Sequence, residues 1–234
     1  MTEQGPKHIA IIMDGNRRWA KNNGLSTKEG HTQGAKNLEL LLNKANELGV
    51  ECLTAWGFST ENWKRSKQEV DGLWSLVKDY ANYYRKLCLD NEIRLIHIGR
   101  KDRLPSFILK LISEVEEETK HFTRIFAPAF DYGGHDEIVR AINRVQEKGL
   151  EVSEKTIEAN LDTATLPPVD LIIRTGDVVR LSGFLSWQSE YAEYYFSQKM
   201  FPDFGTEDLE DAVMQFCKVE RRYGGDGALA IAKK

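Results

Sequence analysis

Polar and charged side chains follow three short apolar runs of this sequence, at the points where predicted strands end. The first cluster follows residues 9–13 and consists of Asp14, Gly15, Asn16, Arg17, Arg18 and Trp19. A carboxylate, free backbone N–H groups and two guanidinium groups at one strand end can hold a metal ion and phosphate oxygens. The first cluster therefore predicts a site for a metal and a phosphorylated ligand.

Each residue type in the first cluster has a physical reason to be there. Asp14 offers a hard oxygen to Mg²⁺, which takes one or two protein carboxylates and completes its coordination with water and phosphate oxygens. Gly15 lets the backbone approach a ligand closely, and Arg17 or Arg18 can fork onto phosphate oxygens. Taken alone, Asp-Gly-Asn favours an ordinary turn with solvated charges, since these are common turn residues.

Two later clusters repeat the pattern. The second follows the apolar run 52–58 and includes Phe58, Ser59, Glu61, Asn62, Trp63 and Arg65. The third follows the run 169–173 and includes Arg174, Arg180, Ser182 and, further along, Glu193. Each segment alone is also typical of a polar loop beside a helix. Three strand ends that share one chemistry favour a common site instead.

Composition limits the classes of function. The chain has 234 residues, of which 41% are hydrophobic and 29% charged, with a net charge of −4. No linker rich in Pro, Gly or Ser divides it, so we expect one domain over residues 1–234. A pI near 5.8 without a basic stripe argues against a nucleic-acid partner. Cys52, Cys88 and Cys217 form no metal-ligand pattern, which indicates reduced thiols in a cytoplasmic protein.

Short apolar runs alternate with helical patterns along the chain. We predict strands at about 8–13, 52–58, 93–98, 123–131, 169–174 and 192–196. We predict helices at about 31–48, 67–90, 105–120, 135–148, 153–161 and 206–222. Continuous apolar runs indicate strands buried on both faces, so the expected class is α/β, with a mostly parallel six-stranded sheet flanked by helices. Ligands bind such sheets at the carboxyl ends of the strands, where the three clusters fall.

The helix at 67–90 carries an apolar and aromatic stripe at three- and four-residue steps, which is usually core: Val70, Leu73, Trp74, Val77, Tyr80, Ala81, Tyr84, Leu87 and Cys88. Pro128 lies inside the predicted strand 123–131, where proline removes a backbone donor, so we expect a local bulge there.

From His8 to Gly225 the motifs resemble the cis-prenyltransferases, a family that includes bacterial undecaprenyl diphosphate synthase. The resemblance implies head-to-tail condensation of isopentenyl diphosphate with an allylic diphosphate such as farnesyl diphosphate, forming a cis double bond and a polyprenyl diphosphate. It implies Mg²⁺ as the cofactor and a hydrophobic tunnel beside the sheet, lined by the 67–90 helix. It further implies a homodimer, to which the motif at 220–225 contributes.

Matched residue by residue, the resemblance implies catalytic roles for Asp14 and Asn62, and metal ligation by Asp14 and Glu193. The expected substrate-binding residues are Gly15, Asn16, Arg17, Arg18, Trp19, His31, Phe58, Ser59, Glu61, Trp63, Arg65, Arg174, Arg180 and Ser182. A lone histidine near a helix start is more often structural, but Gly30 and Gly34 flank His31 as in the family, which favours a diphosphate contact or proton relay. Thr27 stands where the family usually has arginine.

Two alternatives remain open from the sequence. One is a short-chain or irregular, branching prenyl diphosphate synthase of the same fold, because Thr27 and the bulky Trp74, Tyr80 and Tyr84 are compatible with it. The other is a non-catalytic partner subunit, although such partners tend to lose the metal aspartate and the substrate loop. Nothing resembles a signal peptide or a membrane span, so we expect a cytoplasmic protein whose membrane contact is peripheral, through its lipid product.

Overall fold

The fold is built on one parallel sheet whose strands all run in the same direction. In the computed structural model, which describes residues 5–220, the strands are β1 (His8–Ile12), β2 (Cys52–Ser59), β3 (Ile93–Leu95), β4 (Arg124–Tyr132), β5 (Leu171–Arg174) and β6 (Glu193–Phe196). Their order across the sheet is β3-β4-β2-β1-β5-β6. The expected six-stranded α/β fold is thus confirmed, with every pairing parallel.

Seven helices connect the strands in the described part of the chain. They are α1 (Asn16–Asn22), α2 (Thr27–Glu47), α3 (Lys67–Asp90), α4 (Ser106–Thr119), α5 (Gly134–Glu147), α6 (Glu154–Glu158) and α7 (Thr206–Lys218). Two 3₁₀ segments, Thr60–Lys64 and Phe201–Asp203, follow β2 and precede α7. The segment Thr60–Lys64 is called the 60–64 turn below.

The two helices that follow β1 differ from the sequence prediction. Residues expected to form a turn after β1 instead form α1, and α2 begins at Thr27, four residues before the predicted start at 31. A capping box explains the early start: the Ser26 hydroxyl accepts from the Glu29 backbone N–H, and the Glu29 carboxylate accepts from the Ser26 N–H. The predicted bounds of α3, 67–90, match the structure.

Pro128 sits inside β4, between β3 and β2, and not at a sheet edge. The Pro128 carbonyl accepts from the Ile98 N–H at 3.2 Å, so its nitrogen faces the same neighbouring segment. That neighbour is β3, which has already ended at Leu95 and continues only as an isolated bridge from Ile98 to Ala129. The missing proline N–H therefore falls where the ladder is already interrupted.

Apolar side chains cover both faces of the sheet. Ile9 and Ile11 of β1 point into a core shared with α2, α3, α4 and α7, whereas Ala10 and Ile12 point to the opposite face. All four are at most 5% exposed. Strands buried on both faces account for the continuous apolar run in the sequence.

Two other expectations concern cysteines and membrane segments. Cys52, Cys88 and Cys217 form no disulfide, and burial raises the pKa of Cys52 and of Cys88 to about 12. Within residues 5–220, no helix combines the length and the apolar character needed to cross a membrane.

Two buried histidines make the stability of this fold pH-dependent. Burial lowers the pKa of His8 and of His97 from 6.5 to about 4 in each case. His8 bridges the Pro167 carbonyl and the Thr54 hydroxyl, and the His97 ring contacts the Phe130 carbonyl. Below pH 6.5 the unfolded chain takes up protons that the folded chain does not, so acid favours unfolding.

We therefore expect the free energy of unfolding to fall as the pH drops from 6.5 to about 4. Each histidine should contribute a slope of up to about 1.4 kcal/mol per pH unit. Urea titrations at several pH values in this window would measure the slope. A His97→Gln variant should flatten it, and an unchanged slope in that variant would contradict the assignment.

Candidate active site

The register of the central strands brings the three sequence clusters to one edge of the sheet. Ile12 at the end of β1 lies beside Trp56 of β2 and beside Arg174 of β5. A cavity of about 390 Å³ opens at this edge. Nine of the predicted residues line it: Asp14, Asn16, His31, Phe58, Ser59, Asn62, Arg65, Arg174 and Ser182.

Asp14 lies at the centre of the charged end of this cavity. Its Oδ2 accepts from the Arg174 guanidinium at 2.8 Å, and its Oδ1 accepts from Arg18 at 3.2 Å. The Asp14 side chain is 31% exposed, so its oxygens remain accessible to a ligand. A carboxylate between two guanidinium groups keeps positive charge in excess here, which suits an anionic ligand.

The Arg174 side chain is buried and donates hydrogen bonds to three other residues. The side chain is 6% exposed, and besides Asp14 it donates to the Arg180 carbonyl at 2.6 Å and to the Ser182 hydroxyl at 2.9 Å. Its Nε is buried and has no acceptor among the described residues. Arg174 thus orders the loop that carries Arg180 and Ser182 as well as offering a donor.

Two glycines permit the close approach of these loops. Gly176 has φ +88°, and a Cβ there would lie 2.6 Å from the Arg18 guanidinium and 3.1 Å from the Asp14 carbonyl. Gly15 has φ +110° and faces Met200, where a Cβ would come within 2.8 Å of the Met200 side chain. A side chain at Gly176 would press on the Asp14 backbone, one at Gly15 would press on Met200, and both positions have the positive φ that favours glycine.

Gly30 and Gly34 seat Asn16 against α2. A Cβ at Gly30 would lie 2.4 Å from the Asn16 carbonyl oxygen, and one at Gly34 would lie 2.2 Å from Asn16 Oδ1. Asn16 Nδ2 donates to the Met13 carbonyl, whereas its buried Oδ1 has no donor in the described structure. The two glycines that flank His31 therefore have a steric role at the start of α1.

His31 is the histidine of the site. Burial lowers the pKa of His31 to about 4, and the neighbouring Arg65 and Arg17 lower it further while Glu69 opposes them. The imidazole is therefore neutral at physiological pH. Its Nε2 is buried without a hydrogen-bond partner among residues 5–220, which leaves it free to contact a ligand.

The 60–64 turn reaches the cavity through its polar residues. Asn62 Oδ1 accepts from the Ser59 backbone N–H at 3.0 Å, which fixes both residues beside the opening. Arg65 pairs with Glu69 at 3.0 Å, and Glu69 also lies 3.4 Å from Arg17 of α1. Glu69 thus links two clusters. The sequence predicted no site role for Glu69. An acidic residue in the first turn of a helix is common because it stabilises the helix N-terminus, so its position pointed only to that role.

Eight predicted site residues do not line the cavity: Gly15, Arg17, Arg18, Trp19, Glu61, Trp63, Arg180 and Glu193. The Trp19 indole donates to Asp203 at 2.7 Å, and Glu61 accepts from the neighbouring Thr60. The Trp63 ring packs on Phe58 at 5.0 Å and lies behind the cavity wall. Arg180 is exposed, and its described contact is made by its backbone carbonyl.

The structure does not bring Glu193 to Asp14. Glu193 begins β6 and pairs with Leu171, which is in register with Ile9 near the start of β1. Asp14, in contrast, follows the carboxyl end of β1. Because the strands are parallel, these two carboxylates lie toward opposite ends of the sheet within one chain.

Beyond the charged end, the cavity is apolar and runs between the sheet and α2, α3 and α4. Its walls include Leu38, Trp74, Val77, Tyr80, Tyr84, Ile112, Val115 and Phe126. The Tyr84 ring stacks on Phe126 at 6.0 Å, and its hydroxyl donates to the Ala35 carbonyl of α2 at 2.7 Å. Part of the α3 stripe is therefore cavity wall, and Tyr84 crosses from α3 to α2. These walls form the apolar channel expected beside the sheet.

The donor set at the charged end fits a hard divalent cation that takes most of its ligands from elsewhere. No group of three or more His, Cys, Asp or Glu side chains with metal-ligand geometry occurs among the described residues. Asp14 alone offers a carboxylate to the cavity, which matches the preference of Mg²⁺ for few protein carboxylates together with phosphate oxygens.

Comparison with known proteins agrees with this geometry. The family model described as "Putative undecaprenyl diphosphate synthase" matches residues 12–224. An isoprenyl transferase of Treponema denticola is 43% identical over 220 residues, covering 93% of this chain and 97% of that protein.

Two solved structures extend the similarity to three dimensions. Lavandulyl diphosphate synthase from Lavandula x intermedia, in complex with dimethylallyl diphosphate, has a TM-score of 0.90 and 37% identity, with 94% of this chain and 98% of that chain covered. A "probable undecaprenyl diphosphate synthase" from Campylobacter jejuni has a TM-score of 0.81 and 38% identity, with coverages of 96% and 100%. Sequence and fold thus agree over nearly the whole chain, and the protein belongs to the undecaprenyl diphosphate synthase family of cis-prenyl diphosphate synthases, which are prenyltransferase enzymes.

Proposed function

We propose that this enzyme condenses isopentenyl diphosphate with an allylic prenyl diphosphate, such as farnesyl diphosphate, to form a cis-polyprenyl diphosphate. One observation carries the proposal: a single cavity has arginines, Asp14 and His31 at one end and apolar walls along the rest. A diphosphate with a hydrocarbon tail has the same two-part chemistry. The charged end suits the diphosphate, and the apolar walls suit the chain.

The reaction needs leaving-group stabilisation and alignment. The bond from C1 of the allylic substrate to the diphosphate oxygen breaks, and C4 of isopentenyl diphosphate bonds to C1. A proton is then lost from C2 of the isopentenyl unit, which leaves the new double bond, and diphosphate departs. Donors fixed before the reaction, such as the Arg174 guanidinium, stabilise developing negative charge without reorganising.

The two diphosphates have separate residues in this proposal. Arg17, Arg18 and His31 serve the allylic diphosphate. Arg174, Arg180 and Ser182 serve isopentenyl diphosphate. The support is positional. The first set lies after β1 and on α2, and the second lies at the end of β5 and in the loop that Arg174 orders.

Asp14 is the residue that would hold Mg²⁺, and bound Mg²⁺ would supply charge neutralisation to the diphosphate oxygens. Accessible oxygens on Asp14 support this assignment. Asn62, fixed against the Ser59 N–H, would orient the substrate loop and take part in proton transfer.

A short-chain or irregular synthase is the second candidate. The similarity to lavandulyl diphosphate synthase supports it, as do the bulky side chains of Tyr80 and Tyr84 in the cavity wall. A non-catalytic partner subunit is disfavoured because Asp14 and Asn62 both line the cavity.

We also propose a homodimer formed through the β6 edge of the sheet. β6 is the outermost strand, and Tyr194 and Phe196 stack on each other with 46% and 37% of their surface exposed. Exposed aromatic residues on an unpaired strand edge favour association with another protein surface. The 220–225 motif, apart from Glu220, lies outside the described residues. Cytoplasmic location with peripheral membrane contact through the lipid product belongs to the same proposal.

The proposal is tested by incubating the purified protein with radiolabelled isopentenyl diphosphate, Mg²⁺ and allylic primers of several lengths. Labelled prenyl products should form, and Asp14→Ala should lower kcat about a hundredfold, as the loss of one major electrostatic group does. Asp71→Ala is the control, because Asp71 pairs with Lys67 on the surface. No incorporation with any primer would refute the function, and near-normal turnover by Asp14→Ala in saturating Mg²⁺ would refute the role of Asp14.

Arg180 and Arg174 should differ in kinetics. Arg180→Gln should raise the KM for isopentenyl diphosphate while leaving kcat and the KM for the allylic primer nearly unchanged, because its side chain is exposed. Arg174→Gln should also lower kcat, because Asp14 and the Ser182 loop lose their partner. Steady-state kinetics with each substrate varied in turn would measure both effects. Equal KM increases for both substrates in Arg180→Gln would contradict the division.

Tyr84 should limit product length. Tyr84→Ala opens the far part of the cavity and should lengthen the products, while lowering the free energy of unfolding through loss of a partly buried ring. Tyr84→Phe keeps the ring and loses only the hydrogen bond to Ala35, about 1 kcal/mol, so its products should match the wild type. Product sizing with thermal unfolding would check both. Unchanged product length in a folded Tyr84→Ala protein would contradict the prediction.

A further inference from the structure

The 60–64 turn is held from outside the cavity by a contact that the reaction scheme above does not use. The Arg103 guanidinium lies over the Trp63 ring, 5.9 Å from its centroid. Trp63 also packs on Phe58 and, at 5.9 Å, on Trp74, two rings that line the cavity. The Trp63 indole N–H is buried and has no acceptor among the described residues, so packing holds this side chain and no hydrogen bond of the indole does.

Arg103 is itself held by a buried carboxylate. The Asp131 side chain is fully buried at the end of β4, and both of its oxygens accept from Arg103, Oδ2 from Nε at 2.8 Å and Oδ1 from Nη2. Two parallel hydrogen bonds fix the plane of the guanidinium as well as its position. A fixed cation above an indole ring attracts the ring's negative face.

The segment that carries Arg103 is anchored independently of the 60–64 turn. The Gly99 backbone N–H donates to Asp162 at 3.1 Å, and Arg100 pairs with Asp102 at 2.7 Å and with Asp136 at 2.9 Å. These bonds tie residues 99–103 to α5 and to the loop after α6. The backbone that carries Arg103 is therefore fixed by bonds that do not involve the 60–64 turn.

We propose that Arg103 is a positioning residue for the active site. Oriented by Asp131, it holds Trp63 against Phe58. It thereby keeps Asn62, which precedes Trp63, and Arg65, two residues after it, directed at the cavity. Arg103 does not line the cavity and makes no contact with substrate in this scheme. The effect on catalysis rests on the function proposed above, whereas the effect on the turn does not.

A simpler role for Arg103 would be to neutralise Asp131, with the Trp63 contact incidental. Arg103→Lys separates the two roles, because lysine keeps the positive charge but loses the bidentate fork and the planar face. Arg100→Lys is the matched control, since Arg100 makes the same kind of aspartate pairs in the same loop and contacts no ring of the turn. A double variant, Arg103→Gln with Asp131→Asn, removes the pair without leaving a buried charge.

The first experiment is limited trypsin digestion, followed by mass spectrometry of cleavage after Lys64 and Arg65. When opening is fast, the cleavage rate reports the open population of the turn. Arg103→Lys should raise that rate about two- to fivefold, the equivalent of one exposed cation–π contact, and Arg100→Lys should not. Equal rates in the wild type and in both Arg103 variants would overturn the proposal. This result needs no turnover, so it stands even if the proposed reaction fails.

The second experiment is a double-mutant cycle on kcat/KM with Arg103→Lys and Trp63→Leu. If Arg103 acts through Trp63, Arg103→Lys should lower kcat/KM about two- to fivefold in the wild-type background and have no further effect in the Trp63→Leu background. Additive losses would show that Arg103 acts only by neutralising Asp131 and would overturn the positioning role.

Discussion

The ion pair between Arg174 and Asp14 is the interaction on which the rest of the site depends. The two residues are 160 positions apart, and they meet at 2.8 Å because β1 and β5 are parallel neighbours with Ile12 beside Arg174. A guanidinium that is almost fully buried needs acceptors, and it finds them in Asp14, the Arg180 carbonyl and Ser182. One arginine thus sets the relative positions of the first and third clusters.

Much of the fold could be predicted because its signals are local. Short apolar runs located all six strands, and the stripe at three- and four-residue steps located α3 with its bounds. α1 was missed because its seven residues, mostly polar or basic, give no apolar period, and it is stabilised by tertiary contacts such as Asn16 against Gly30 and Gly34. Pro128 could not be explained from sequence, since the end of β3 beside it is a property of the sheet.

The site residues that directly follow a strand could be predicted from the sequence, whereas the others could not be placed reliably. Asp14, Asn62 and Arg174 meet at one cavity because the carboxyl ends of parallel strands share an edge. Glu193 was assigned through resemblance, although it begins its strand and so lies toward the other end. Glu69 was overlooked because its link between Arg65 and Arg17 joins segments about fifty residues apart, a contact that no local pattern reveals.

Two aromatic rings of the channel wall also pack against the turn that carries polar residues of the charged end. Phe58 and Trp74 line the cavity on one side and support Trp63 on the other. A hydrocarbon chain that packs against these rings from inside therefore stabilises the surface on which Trp63 rests. Asn62 directly precedes Trp63, and Arg65 follows it by two residues, so one short segment joins the rings of the channel wall to polar groups at the charged end. In the proposed reaction, the tail of a bound prenyl diphosphate would therefore pack on the same rings that support the segment carrying Asn62.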